Sequence, residues 1–121
     1  MSPGEVFIHP TSTVHPQAQL DRGVWVGPNC FIGEKVTIHR NTRLDAHLCI
    51  DGHTEIGEEC RFSPCSVIGT EPQDVGYRGE ETMVKIGRRN VFREFITVHR
   101  GTKKGGGETT IGDDNYFMAY S

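Results

Sequence analysis

Residues 26–39 read VGPNCFIGEKVTIH, and the spacing within this stretch decides the fold. Val26, Ile32 and Ile38 stand six apart, with Gly27 and Gly33 directly behind the first two. An amphipathic helix repeats near 3.6 residues and a half-buried strand near 2, so neither element alone asks for an aliphatic at every sixth position. Followed outward, the same phase takes in Ile8, Val14, Leu20, Val26, Ile32, Ile38, Leu44, Ile50, Ile56, Phe62 and Ile68. Eleven consecutive hits are far beyond chance in a chain that is 35% apolar, and the repeat is therefore the organising fact.

The neighbouring columns explain what the repeat builds. Two residues before the aliphatic come small or β-branched side chains, among them Ser12, Ala18, Val24, Cys30, Val36, Thr42, Thr54 and Cys60. If both positions point inward, the residue between them points out, which is a short strand, and the remaining residues turn a corner. Pro10, Pro16, Pro28 and Pro64 all fall two places after an aliphatic, at that corner, where a missing N–H costs no ladder bond. Three flat edges close a triangular coil of 18 residues, and successive coils stack as parallel strands about 4.8 Å apart. The fold class is thus all-β, a parallel β-helix.

Two interruptions stand out. From Ile68 to Ile86 the phase would place Asp74 and Glu80 inward, and unpaired charges are not buried. The segment around 70–83 is therefore expected to leave the prism as an extruded loop. Ile86, Phe92 and Val98 resume the repeat, and RGTKKGGGETT then delays the next aliphatic to Ile111, so a second loop is expected at about 101–110. The run Gly105 to Gly107 lacks the strand-before, helix-after setting of a phosphate cradle and reads as a loop tip, with Lys103 and Lys104 beside it.

Composition excludes several classes of function. The net charge is −3, and the longest basic runs are the pairs Arg88-Arg89 and Lys103-Lys104, which gives no footprint for nucleic acid. No stretch approaches the roughly 20 apolar residues of a membrane span. The start MSPGEVFIHP lacks the regions of a secretory signal, so a cytoplasmic location is expected. Four cysteines without a C-x-x-C pair read as free thiols. Cys30 and Cys60 fall in the small inward column, Cys49 points outward, and Cys65 lies near a corner.

The series DGHTEIG, IGTEPQDVGYRGEET, KIGRRNVFREFITVHRGT, GGGETTIG and DNYFM resembles the UDP-N-acetylglucosamine O-acyltransferases that start lipid A biosynthesis, a branch of the hexapeptide-repeat acyltransferases. The likeness runs across essentially all 121 residues. It implies a left-handed coil, a hand that the usual rule for parallel crossovers would not supply. It also implies a homotrimer that binds UDP-N-acetylglucosamine and an acyl carrier protein bearing a hydroxyacyl chain in clefts between subunits. A histidine there takes the proton from the sugar 3-hydroxyl, which attacks the thioester; no cofactor is called for. Carried over by residue, the resemblance selects Gln73, Asp74 and His99 as substrate-binding residues. Gly76 stands where the family often carries a lysine, with Arg78 the nearest replacement. The family's general base belongs to the coil after NYFMAYS, so no catalytic residue is expected within the chain, which reads as the N-terminal part of the β-helix without the rest of it or the C-terminal helical region.

Plainer readings stand beside these. Gln73 and Asp74 also suit an exposed polar loop, and His99 shares its column with His9, His15 and His39, ordinary corner histidines. A zinc-dependent, carbonic-anhydrase-like β-helix is a lesser alternative: it needs three converging histidines, and His9, His15 and His39 fall on different faces of one subunit, which leaves convergence only across a trimer interface, so no metal site is expected. A non-catalytic β-helical scaffold or assembly fragment is the first alternative.

Overall fold

The computed structural model describes residues 4–64, 67–70, 83–94, 96–99 and 108–118, with the backbone alone at 67, 69, 70, 97, 99 and 108. Sixteen strands and no helix occur among them, and every strand pairing is parallel. Each strand joins the sheet three places back in chain order, as a triangular coil requires. Sheet A holds β1 (Phe7–Ile8), β4 (Trp25–Val26), β7 (Arg43–Leu44), β10 (Arg61–Phe62), β13 (Val91–Phe92) and β16 (Tyr116–Phe117). Sheet B holds β2 (Thr13–Val14), β5 (Phe31–Ile32), β8 (Cys49–Ile50), β11 (Val67–Thr70) and β14 (Thr97–His99). Sheet C holds β3 (Gln19–Leu20), β6 (Val36–Ile38), β9 (His53–Ile56), β12 (Met83–Ile86) and β15 (Glu108–Ile111). The architecture is a left-handed parallel β-helix.

The column of sixth residues fills the inside. Val26, Ile32, Ile38, Leu44, Ile50, Ile56 and Ile68 are fully buried, and the second column adds Val24, Cys30, Val36, Leu48 and Cys60. Burial fades at the first coil, where Ile8 is 40% exposed. Aromatic rings continue the aliphatic file upward: Phe62, Phe92 and Phe117 stack with centroid separations of 4.5 and 4.7 Å.

Polar members of the inner column tie the corners together. The Thr42 hydroxyl donates to the Gly57 carbonyl at 2.8 Å and accepts the Cys60 N–H at 3.2 Å. Ser12 does the same with the Gly27 carbonyl and the Cys30 N–H. Asn90, wholly buried, sends Nδ2 to the Gly112 carbonyl and accepts the Asn115 N–H. A buried polar atom is tolerated here because both of its partners are corner backbone groups that the sheets leave unpaired.

The corners need one residue in the left-handed region. Asn29, Asn41, His47, Glu59, Arg89 and Asp114 occupy it with φ of 56 to 60°, always three places after the aliphatic. Their N–H groups still find partners one coil below, as in His47 to the Pro28 carbonyl and Glu59 to the Arg40 carbonyl. The position before them, where proline occurs, donates to no backbone carbonyl. At two of these corners its N–H turns to an aspartate instead, Ala46 to Asp45 and Arg88 to Asp113. That confirms why proline is accepted there.

A file of opposite charges runs along the corner from sheet C to sheet A. Arg40 Nε lies 2.8 Å from Glu58, and Arg89 Nε 2.6 Å from Asp114. Each acidic row thus faces a basic row one coil away.

Candidate functional site at the roots of the two insertions

Register partners in plain coils are 18 residues apart. Across the first interruption Met83 pairs with His53 and Ile86 with Ile56, thirty residues back, so the chain between β11 and β12 is twelve residues longer than a plain coil needs. Across the second the separation is 25 residues, seven more than a plain coil, and the extra length falls between β14 and β15. Both additions fall at the corner from sheet B to sheet C, one coil apart.

The strands lengthen at this corner. β2, β5 and β8 have two residues each, whereas β11 has four and β14 three. They stay paired beyond the usual edge, from Val67 with Thr97 to Thr70 with His99, with a register irregularity between Ile68 and Thr70. On the return side Met83 to Ile86 pair with Glu108 to Ile111 without a break. β15 therefore begins at Glu108, three residues inside the stretch that the sequence assigned to the second loop. Its pairing with β12 supplies the backbone partners that make strand the better state there.

Of the three candidate residues, His99 ends β14 beside Thr70. Gln73 and Asp74 lie outside the described residues, as do Gly76, Arg78, Lys103, Lys104 and Cys65. Connectivity still bounds their place. Asp74 is four residues past Thr70, a reach of at most about 14 Å for an extended chain. Whatever path the insertion takes, its Gln-Asp pair starts from the partner of His99.

The other histidines do not converge. His9 follows a strand of sheet A, His15 one of sheet B and His39 one of sheet C. The His9 ring meets the Thr11 hydroxyl at 2.9 Å, His15 Nδ1 accepts the Gln17 N–H at 3.0 Å, and His39 Nε2 sits 2.8 Å from Glu55. Among the described residues no three His, Cys, Asp or Glu side chains are grouped to hold a metal ion. Burial pushes the Cys30 and Cys60 thiols above their ordinary range, and each points at a backbone carbonyl, Asp45 and Gly87 respectively. Both are compact core groups and poor nucleophiles.

One concavity escaped the linear reading. Arg43, Arg61 and Arg93, with Asp45, Ser63 and Tyr116, line a hollow on the outer face of sheet A. These arginines never form a run in the chain; the coil brings them side by side, and counting charges in columns 18 apart would have found the first two.

No family model matches the chain. It is 50% identical over 113 residues to an acyl-acyl-carrier-protein UDP-N-acetylglucosamine O-acyltransferase of Thermodesulfovibrio yellowstonii, which covers 93% of this chain and 44% of that protein. A solved UDP-N-acetylglucosamine acyltransferase superposes with a TM-score of 0.92 at 38% identity, covering 93% of this chain and 44% of that one. The enzyme of the same name from Francisella novicida gives 0.91 at 36% identity, over 94% of this chain and 42% of its own. The chain thus spans less than half the length of the relatives it matches.

Proposed function

Because the chain belongs, over the residues it shares, to the family of UDP-N-acetylglucosamine O-acyltransferases, we propose that it forms the sugar-nucleotide side of such an enzyme. The reaction is transfer of a hydroxyacyl chain from acyl carrier protein to the 3-hydroxyl of UDP-N-acetylglucosamine, the first step of lipid A biosynthesis. The observation that carries this reading is the pairing of Thr70 with His99, which roots both insertions at one corner. Asp74 is assigned to accept a hydrogen bond from a sugar hydroxyl, Gln73 to donate and accept, and His99 to contact substrate from the neighbouring coil. The working form is a cytoplasmic homotrimer with clefts between subunits and no cofactor. The proton acceptor for the 3-hydroxyl is assigned to residues past Ser121, so the 121 residues by themselves bind without turning over.

Calorimetric titration of the chain with UDP-N-acetylglucosamine tests the binding. Saturable heat is expected, weakened roughly tenfold or more by Asp74→Ala, as loss of one hydrogen bond to a polar partner implies. Absence of saturation, with concentration-dependent assembly in sedimentation, would favour the scaffold reading. Acyl transfer by the 121 residues alone would overturn the assignment of the base.

A further inference from the structure

We propose that the hollow on sheet A is a binding site for a phosphate group. It lies on the face opposite the corner from which the insertions depart, and the proposal does not rest on the acyltransferase reading. The outward column of this sheet runs Phe7, Trp25, Arg43, Arg61, Val91 and Tyr116 in register. Val91 is the short member, and the dip it leaves between Arg61 and Tyr116 is the floor of the hollow.

Three guanidinium groups line this dip against one carboxylate, that of Asp45, and one oxygen of Asp45 already accepts the Ala46 N–H at 2.9 Å. Two of the guanidiniums are held in place by other groups. Arg43 lies over the Trp25 ring at 4.1 Å, and Trp25 in turn stacks on Phe7 at 5.3 Å. Arg93 donates to the Tyr116 hydroxyl at 2.7 Å and lies 3.3 Å from Glu94. Arg61 stands between them on the adjoining strand and makes no ion pair among the described residues.

Like charges on directly paired strands repel, and Arg43 and Arg61 are register partners about 4.8 Å apart along the ladder. A doubly charged anion relieves that repulsion by bridging them. Planar guanidinium forks fit the oxygens of a phosphate in pairs, and the Ser63 and Tyr116 hydroxyls in the same lining offer further donors. Because these donors surround a dip, a compact anion with several oxygens suits them better than a single side-chain carboxylate.

Inorganic phosphate added to the 121-residue chain at constant ionic strength, with chloride as reference, tests the site by backbone amide shifts. Saturable movement at Arg61, Ser63 and Val91 is expected, with affinity falling about tenfold or more in Arg61→Gln. Arg22→Gln, an exposed arginine on another part of the coil, is expected to leave the affinity unchanged. If Arg61→Gln does not fold, Arg43→Gln is read in its place with the same expectation. A second arm uses phosphatidylcholine vesicles doped with phosphatidic acid. Arg61-dependent cosedimentation without a response to the free ion assigns a lipid headgroup as the source of the phosphate. No saturable response to either probe, or equal weakening by Arg22→Gln, overturns the proposal.

Discussion

Phe62 and Phe92 stack inside the prism with their ring planes 3° from parallel and their centroids 4.5 Å apart, although twelve residues more than a coil separate them in the chain. The extra length between β11 and β12 therefore does not disturb the core on either side of it. Twelve is two hexads, so the aliphatic phase survives the added length, and β10 meets β13 in the register of a plain coil.

Phe92 is in contact with a ring on each side, since Phe117 stacks on it at 4.7 Å. Replacing it by alanine is expected to cost about 3–5 kcal/mol, the usual penalty for emptying a buried aromatic site. Urea unfolding measures this. A loss below about 1 kcal/mol would mean that the coils above and below close on the gap.

Gly57 is required for a different reason. A Cβ there would run into the carbonyl of Gly87 on the next coil, which is backbone and has no rotamer to change. Gly57→Ala is expected to destabilise by roughly 1–3 kcal/mol, the range for overpacking. Gly112, in the same column, has nothing within 4 Å of its would-be Cβ, and Gly112→Ala should stay within about 0.5 kcal/mol. Equal melting temperatures for the two variants would contradict the steric account.

Thr42 is wholly buried and its hydroxyl is bonded on both sides. Thr42→Val keeps the shape and strands the Gly57 carbonyl and the Cys60 N–H, for an expected loss of about 1–3 kcal/mol in chemical denaturation. A neutral result would show that water or a shifted backbone satisfies both groups.

His47 holds a left-handed corner at φ 59°, where a Cβ is unfavourable by roughly 1–2 kcal/mol. Asparagine tolerates that region better, so His47→Asn is expected to raise the unfolding free energy by up to about 1 kcal/mol. A lower melting temperature would indicate that the imidazole contributes something the corner geometry does not show.

The charged corner gives a pH dependence with a definite sign. Hydrogen bonds from Arg40 and Arg89 hold the Glu58 and Asp114 carboxyls below their ordinary 4.5 and 3.8. Such depressed acids stabilise the fold fully above the unfolded values and lose that contribution as pH falls through the folded ones. Urea midpoints should therefore drop from about pH 5 downward, and Arg89→Gln should make the drop shallower by removing the share of Asp114. An unchanged slope in the variant would exclude this pair as a source.

Much of this fold is legible in the sequence because one short rule governs it. The aliphatic and small columns, the inward thiols of Cys30 and Cys60, and the prolines at corners follow from period six alone. The αL residues are less visible: Asn29 and Asn41 fit that conformation, but His47, Glu59 and Arg89 carry no local sign of it, and only closure of the triangle imposes it. Of the site, the sequence shows that something leaves near Ile68 and Val98. That Thr70 and His99 are partners depends on register, which a linear reading does not supply. The arginine hollow was hidden for the same reason, its members being 18 or more residues apart.

The regularity of the register has one more consequence. Since each strand pairs with the strands one coil below and one coil above, the molecule behaves as a row of dominoes with nearest-neighbour couplings only. Assembly has no privileged starting point: any two adjacent coils can serve as a seed, and growth proceeds by adding a tier at either face. Fraying should accordingly travel inward from the rims, with amide protons of the Ile8 tier exchanging first and those around Ile50 and Ile56 last.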